Sequence, residues 1–257
     1  NSRSIDLGNG VSLTNKGYED GMVIKYSSTG EVEWAQGIGG TDSDYINSVS
    51  ETTDGGYIVG GYFKSSSIDL GNGISLTSKK SDDGMIIKYS SEGEVEWVQG
   101  VGGINNDYIS SVAECKDGGY IVGGYFFSSS IYLGNGIGLD NKGGSDGMVI
   151  KYSSEGEVEW AKAIGETYAD RIISVVESRD GGYIVGGYFY SSSLDLGNGI
   201  SLTNKGSADG MVIKYGSSGE VEWAKRIGGT DYDDINSVAA TNDGGCIVGG
   251  SFYSSID

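Results

Sequence analysis

The chain of 257 residues contains no histidine and no proline. Without imidazole there is no Ser-His-Asp or Cys-His nucleophile system and no histidine metal site. Without proline, the turns fall to Gly, Asn, Asp and Ser. Cysteine is nearly absent: Cys115 and Cys246 are the two present. They occupy different phases of the repeat described below, so no disulfide framework is indicated and two free thiols are expected. No apolar run approaches the roughly 18 residues of a transmembrane helix, and the N-terminus carries no signal-peptide pattern. Positive charge is scarce, 17 Lys and Arg against 36 Asp and Glu, for a net charge of −19. So acidic a chain repels phosphate backbones and anionic membrane surfaces, which argues against nucleic acid as a partner and against direct membrane insertion. Acidity of this kind suits solubility, or the capture of cations.

Glycine, by contrast, supplies 47 of the 257 residues, against a usual share of roughly 7%. Aromatics make up 11% of the chain and the apolar segments are regular, which together exclude disorder and leave a turn-dense, repetitive fold. The repeat is explicit. Asp54-Gly-Gly-Tyr-Ile-Val-Gly-Gly-Tyr-Phe63 recurs unchanged at 117–126 and 180–189, and with two changes at 243–252. Glu31-Val-Glu-Trp34 recurs with Trp97, Trp160 and Trp223, and Asp20-Gly-Met-Val-Ile-Lys-Tyr26 recurs at 83–89, 146–152 and 209–215, always 63 residues on. The copies run approximately over 1–63, 64–126, 127–189 and 190–257, read here as one domain. Both ends fall mid-repeat, which reads as a mature form or a fragment.

Each copy predicts four strands, in first copies 46–51, 57–63, 85–89 and 94–101, rich in Val, Ile, Tyr and Trp and bounded by Gly, Asp and Ser. Four short strands per unit, repeated, predict an all-β fold: a β-propeller of four antiparallel blades. In the hairpin 22–35, a three-residue loop at Ser28–Gly30 pairs Ser27 with Glu31, Lys25 with Glu33 and Ile24 with Trp34. That register puts Met22, Ile24, Tyr26, Val32 and Trp34 on one apolar face. Between the second and third strands, Asn72-Gly73 flanked by alternating apolar residues predicts an accessory hairpin in every copy. The outer half of one blade (22–38) and the inner half of another (235–252) are expected to join, so that both termini close a four-bladed ring. The rivals are two chains exchanging halves into an eight-bladed ring, or a longer array.

The residues Gly118–Gly124, Asp83–Tyr89 and Glu94–Trp97 resemble a Kelch blade, with its di-glycine strand and a Trp on the last strand. The whole unit, with Ser91–Gly93 and Gly102–Tyr108 in their places, is similar to the bacterial SBBP-type β-propeller repeat. The resemblance covers essentially the whole chain. It implies a bacterial protein that is exported or held at the cell surface, and it implies no defined activity. A Kelch-like strand order puts the accessory hairpins on one end of the ring with the loops that enter the innermost strands. That end is the expected binding face. Its candidate ligand residues are Asn9, Asn72, Asn135 and Asn198. Its candidate Ca²⁺ ligands are Asp44, Asp107, Asp170 and Asp233, with Asp42, Asp231 and Asp234 adding charge in some copies. The plainer role for each Asp is to cap its own turn. Glu31 and Glu33 share a strand face about 7 Å apart, but a charged pair opposite Lys25 on an outer strand reads as a solvated edge rather than a catalytic dyad. The four Trp are expected to fill blade interfaces. No cofactor is expected beyond Ca²⁺. The function expected is a non-enzymatic structural or adhesive module with a protein or glycan surface partner. The alternative is a multivalent glycan- or Ca²⁺-binding propeller, as a monomer, or as a dimer if the ring is completed between chains.

Overall fold

The computed structural model describes residues 3–253, and among them the regular structure is entirely β, without a helix. The chain opens with two hairpins, β1 (Ser4–Gly8) with β2 (Val11–Thr14) and β3 (Gly21–Tyr26) with β4 (Val32–Ile38). A four-stranded antiparallel sheet follows, built from β5 (Asp44–Glu51), β6 (Tyr57–Phe63), β9 (Asp83–Tyr89) and β10 (Val95–Val101) in that spatial order. Between its middle strands sits the accessory hairpin β7 (Ser67–Gly71) and β8 (Ile74–Thr77). The second sheet repeats this with β11 (Asp107–Glu114), β12 (Tyr120–Phe126), β15 (Asp146–Tyr152) and β16 (Val158–Ile164), its hairpin being β13 (Ser130–Gly134) and β14 (Ile137–Asp140). The third has β17 (Asp170–Glu177), β18 (Tyr183–Phe189), β21 (Asp209–Tyr215) and β22 (Val221–Ile227), with hairpin β19 (Ser193–Asp195) and β20 (Ser201–Thr203). The last pair is β23 (Asp233–Ala240) with β24 (Cys246–Phe252). Sheets therefore straddle the nominal repeat boundaries.

The expected strands and turns form where the residues place them. Gly30 takes φ +82°, and Ser27 N–H donates to the Glu31 carbonyl at 2.8 Å, closing the three-residue loop. The hairpin register then departs from expectation. A bulge at Glu33 pairs Tyr26 with Val32 but Lys25 with Trp34, and Ile24 with Ala35. The extra residue moves Trp34 off the Met22, Ile24 and Tyr26 face and onto that of Val23 and Lys25. Alternation alone cannot show a bulge. The same shift recurs in the equivalent hairpins of the three full sheets.

The bulge sets how sheets stack. Trp34, Trp97 and Trp160 each reach across to the last hairpin turn of the following sheet. Each Nε1 donates to a turn carbonyl, from Trp34 to Ser91 at 3.0 Å, from Trp97 to Ser154 at 3.2 Å and from Trp160 to Ser217 at 3.3 Å. The ring covers the turn glycine: a Cβ on Gly156 would lie 2.9 Å from Trp97. Closer to the inner strands, Val112 of one sheet fills the space over Gly60 of the sheet before it, where a Cβ would meet it at 2.6 Å. The di-glycine of each second strand is therefore a hole for the neighbour's valine. Apolar clusters fill the junctions: Val23, Val59, Met85, Ile87 and Tyr89 at the first, Ile58, Ile86, Val122 and Met148 at the second, Ile121, Val149, Val185 and Met211 at the third. A smaller one, with Ile184, Val212, Ile235 and Val238, joins the last pair.

The expected closure is not found. β3 pairs only with β4, and β24 only with β23, so the two halves stand as separate hairpins with open edges. Among the described residues, the stacking contacts relate each sheet to the next and leave an open row of β-propeller-like units.

Candidate functional site

The end of the units that carries the accessory hairpins is lined by aromatic rings. Each unit places one residue at the second position of its inner strand and another near the end of its second strand. In the first sheet these are Tyr45 and Tyr62, stacked at 4.9 Å between centroids. Tyr62 meets Tyr108 of the next sheet edge-on at 4.6 Å, and Tyr108 lies 5.0 Å from Tyr125. In the third sheet Arg171 takes the Tyr45 position. Its guanidinium sits 4.5 Å over the Tyr125 ring and donates to the Tyr188 hydroxyl at 3.3 Å. Tyr188 then meets Tyr232 at 5.7 Å, and Tyr232 meets Tyr253 at 5.8 Å. The result is a belt of aromatic rings, bridged by Arg171 between Tyr125 and Tyr188, that runs from the first full sheet to the last hairpin. Carboxylates flank it: the Tyr45 hydroxyl donates to Glu19, and the Tyr108 hydroxyl to Asp82 at 3.0 Å. Burial, then the Asp82 charge, raises the pKa of the Tyr108 phenol above its ordinary value, so it stays a neutral donor. The 63-residue spacing of Tyr45 and Tyr108, and of Tyr62, Tyr125 and Tyr188, was the signal in the sequence for this belt.

The residues expected to bind prove to be strongly held by the fold. Asn9, Asn72, Asn135 and Asn198 are exposed and have φ between 52° and 55°, the left-handed conformation their Asn-Gly turns require. Asn135 also donates to Glu157 at 2.7 Å. Asp44 is buried and fully bonded. Its Oδ1 accepts the Lys64 and Ser65 amides, and its Oδ2 accepts the Gly40 amide and the Ser65 hydroxyl. Asp107 and Asp170 repeat that pattern, and Asp233 keeps its two amide bonds at 2.7 and 3.1 Å. Burial raises Asp107 and Asp170 above the usual carboxylate range, against the pull of those donors. Each carboxylate is thus taken up by backbone amides of its own loop and of the loop after the second strand, and the described residues contain no group of three or more acidic or thiol ligands.

A second set of aspartates lies beside the first. Asp20, Asp83, Asp146 and Asp209 open the third strands, and each has a buried Oδ1 with no hydrogen-bond partner. Asp83 and Asp107 flank Gly102, and Asp209 and Asp233 flank Gly228, so two carboxylates face each other across these sheet boundaries. Burial, then the facing carboxylate, pushes Asp83 and Asp146 up to about 6. Beside Asp209 stands a cation, with Arg226 3.0 Å from Oδ2.

At the opposite end the Trp turns enclose buried lysines. Lys88 Nζ lies 2.9 Å from both Asp54 and Glu96, and Lys151 and Lys214 repeat the arrangement. Burial pulls the Lys88 ammonium down, but Glu96 and Asp54 outweigh it and leave it raised, while Asp54 is lowered to about 2 by its bonds to Thr52, Lys88 and Gly56. Glu33 meets Lys25 at 3.7 Å, as an exposed pair.

No family model matches the chain. Among curated proteins it is 22% identical over 215 residues to the Regulatory protein FlaEY of Caulobacter vibrioides, covering 78% of the chain and 22% of that protein. It is 23% identical over 263 residues to an uncharacterized WD repeat-containing protein, L264, of Acanthamoeba polyphaga mimivirus, covering 85% of the chain and 19% of that protein. The chain thus spans about a fifth of the length of the curated relatives it matches. A solved protein of unknown function from Bacteroides caccae aligns with 88% of the chain at 12% identity and TM-score 0.45. The WD-repeat relative and the repeated antiparallel sheets together support a propeller-type repeat protein.

Proposed function

We propose that this chain is a non-enzymatic adhesive β-propeller module of a bacterial exported or cell-surface protein, of the SBBP type with Kelch-like blades, and that it grips its partner along the aromatic belt. The observation that carries this reading is the belt itself. Half-exposed tyrosines offer large, rigid contact area with a polar tip at little entropic cost, which suits binding surfaces. Chemistry needs one group set apart, whereas the carboxylates, lysines and rings here recur with the repeat. The test is adhesion of the purified protein to surface proteins and glycans, comparing parent with Tyr62→Ala/Tyr125→Ala. Losing two stacked rings should weaken binding at least tenfold, at about 1 kcal/mol each. Unchanged binding by the double variant would overturn the proposal.

A second reading, multivalent capture of glycans or Ca²⁺, draws on the same end. Tyrosines paired with carboxylates, one set per repeat, suit sugar hydroxyls and ring faces, and calorimetry should then count about one site per belt segment. For Ca²⁺ the orphaned Oδ1 atoms of Asp20, Asp83, Asp146 and Asp209 are better placed than the fully bonded Asp44 set. A native-state ligand must stabilise, so a Tm unmoved by Ca²⁺ would remove that reading.

A further inference from the structure

The aromatic belt departs from its own repeat in the third sheet. Tyr45, Tyr108, Arg171 and Asp234 share a phase of the 63-residue period, and so do Glu19, Asp82, Ser145 and Ala208. In the first two sheets the pair is a tyrosine whose hydroxyl donates to a carboxylate, Tyr45 to Glu19 and Tyr108 to Asp82. In the third sheet both members change together: the phenol becomes a guanidinium and the carboxylate a hydroxyl. The backbone around them stays the same. Asp107 N–H donates to the Asp82 carbonyl at 2.7 Å, and Asp170 N–H donates to the Ser145 carbonyl at 2.7 Å. The repeat thus withdraws its acid where it brings in a cation.

Arg171 enters none of the ion pairs among the described residues. Lys64 gives the contrast, a cation 5.7 Å from the Tyr45 ring centroid that pairs with Asp82 at 3.8 Å. Asp234, at the Arg171 phase of the next unit, is taken up by the Ser251 amide at 2.8 Å and the Asn236 side chain at 3.0 Å. What holds Arg171 is aromatic. Its guanidinium lies 4.5 Å from the Tyr125 centroid and 5.7 Å from that of Phe127, and Nη1 donates to the Tyr188 hydroxyl at 3.3 Å. Nε is buried without a hydrogen-bond partner, and so is the Ser145 hydroxyl. A guanidinium carries several donors in a planar fork matched to a carboxylate. Packing on rings orients that fork and leaves its charge uncompensated.

Phe127 also lines a cavity of about 300 Å³ together with Asn105 and Asn106. Ring faces suit the C–H faces of a sugar, side-chain amides suit its hydroxyls, and the fork suits a carboxylate. The net charge of −19 repels polyanions, so the fitting ligand carries an isolated carboxylate on a neutral body. We propose that Arg171, with the Tyr188 hydroxyl and the cavity at Phe127, is the site in the belt that takes a carboxylate-bearing sugar, a uronic-acid residue of a glycan. This rests on the belt being the binding surface, and it makes the third sheet the point that sets specificity.

The probes are a glucuronate-terminated oligosaccharide and the same oligosaccharide with its carboxyl reduced to the alcohol. Calorimetry on the parent should find the glucuronate form bound roughly 10- to 100-fold more tightly, as one charge-assisted contact implies. Added salt should narrow that gap. Arg171→Tyr combined with Ser145→Asp installs the pair that the second sheet already accommodates, so its circular dichroism and Tm should match the parent. It should bind the reduced form as the parent does and lose the preference for glucuronate. Should that variant unfold, Arg171→Gln removes the charge alone and carries the same expectation. Equal binding of both forms by the parent, or a preference that survives in the variants, overturns the proposal and leaves the belt reading standing. Binding of neither form overturns it together with the belt as a glycan surface. A peptide with one carboxylate, held as tightly as the glucuronate probe by the parent and not by the variants, overturns the assignment to a sugar.

Discussion

Replacing Asp83 with Asn should stabilise the protein at neutral pH. Asp83 Oδ2 accepts the Lys79 amide at 2.6 Å, while Oδ1 is buried without a partner. Burial, reinforced by the Asp107 charge, raises the group from 3.8 to about 6. In the unfolded chain it titrates near 3.9. Between those two values the native state holds more protons than the unfolded state, so stability falls as pH rises from about 4 to about 6, and the full penalty stands at pH 7. A rise of that size corresponds to roughly 3 kcal/mol. The amide forfeits part of the gain, since it accepts a weaker hydrogen bond from Lys79 than a carboxylate does. The net expectation is about 1–2 kcal/mol of stabilisation at pH 7 and none at pH 4. Urea unfolding of parent and variant at both pH values, in the presence of a chelator, measures it. Comparing the two proteins at each pH cancels the contribution of the other acidic groups. A gain of equal size at both pH values, or a variant less stable than the parent at pH 7, would refute the reasoning. Asp209→Asn is the control. Its carboxylate is already matched by Arg226 at 3.0 Å, so removing the charge should destabilise at pH 7.

Trp97→Ala should cost about 2–4 kcal/mol in urea unfolding, less than full burial would imply because the ring is half-buried, and an unchanged midpoint would deny it a structural role. Gly156→Ala should cost about 1–3 kcal/mol, since φ is +79° and the new Cβ meets the Trp97 ring at 2.9 Å; combined with Trp97→Ala it should cost less than the sum, and strict additivity would exclude the clash. Lys88 is raised on folding, so the stability it confers is complete below about pH 10.4 and is lost as pH climbs through its native value. The difference in Tm between parent and Lys88→Met should accordingly move in favour of the variant above that pH, and a constant difference would contradict the ion-pair account. Burial pushes the Cys115 thiol up to about 12, so iodoacetamide near pH 8 should label the half-exposed Cys246 and spare Cys115, as read by mass spectrometry; equal labelling would count against the buried position.

Much of the architecture is set by the sequence alone, because its determinants are local. A 63-residue period puts identical residues in identical phase, and β-branched and aromatic runs between Gly, Asp and Ser fix strands such as Tyr57–Phe63 where they were expected. Asn72-Gly73 and Ser28–Gly30 dictate their turns through the positive φ values that only such residues adopt cheaply. Tertiary structure decided the rest. The bulge at Glu33 leaves no trace in the alternation, yet it turns Trp34 to the other face and so selects its partner in the next sheet. Asp44 and Asp83 look alike in sequence. One is saturated by donors of its own sheet, and the other faces a carboxylate across a boundary between sheets, with an oxygen left unbonded. The tyrosine belt exists only because stacking brings rings from successive units within about 6 Å of one another, Tyr62 to Tyr108 at 4.6 Å and Tyr188 to Tyr232 at 5.7 Å. Closure, too, lay beyond local information. It depends on how successive sheets pack, and among the described residues β3 pairs only with β4 and β24 only with β23.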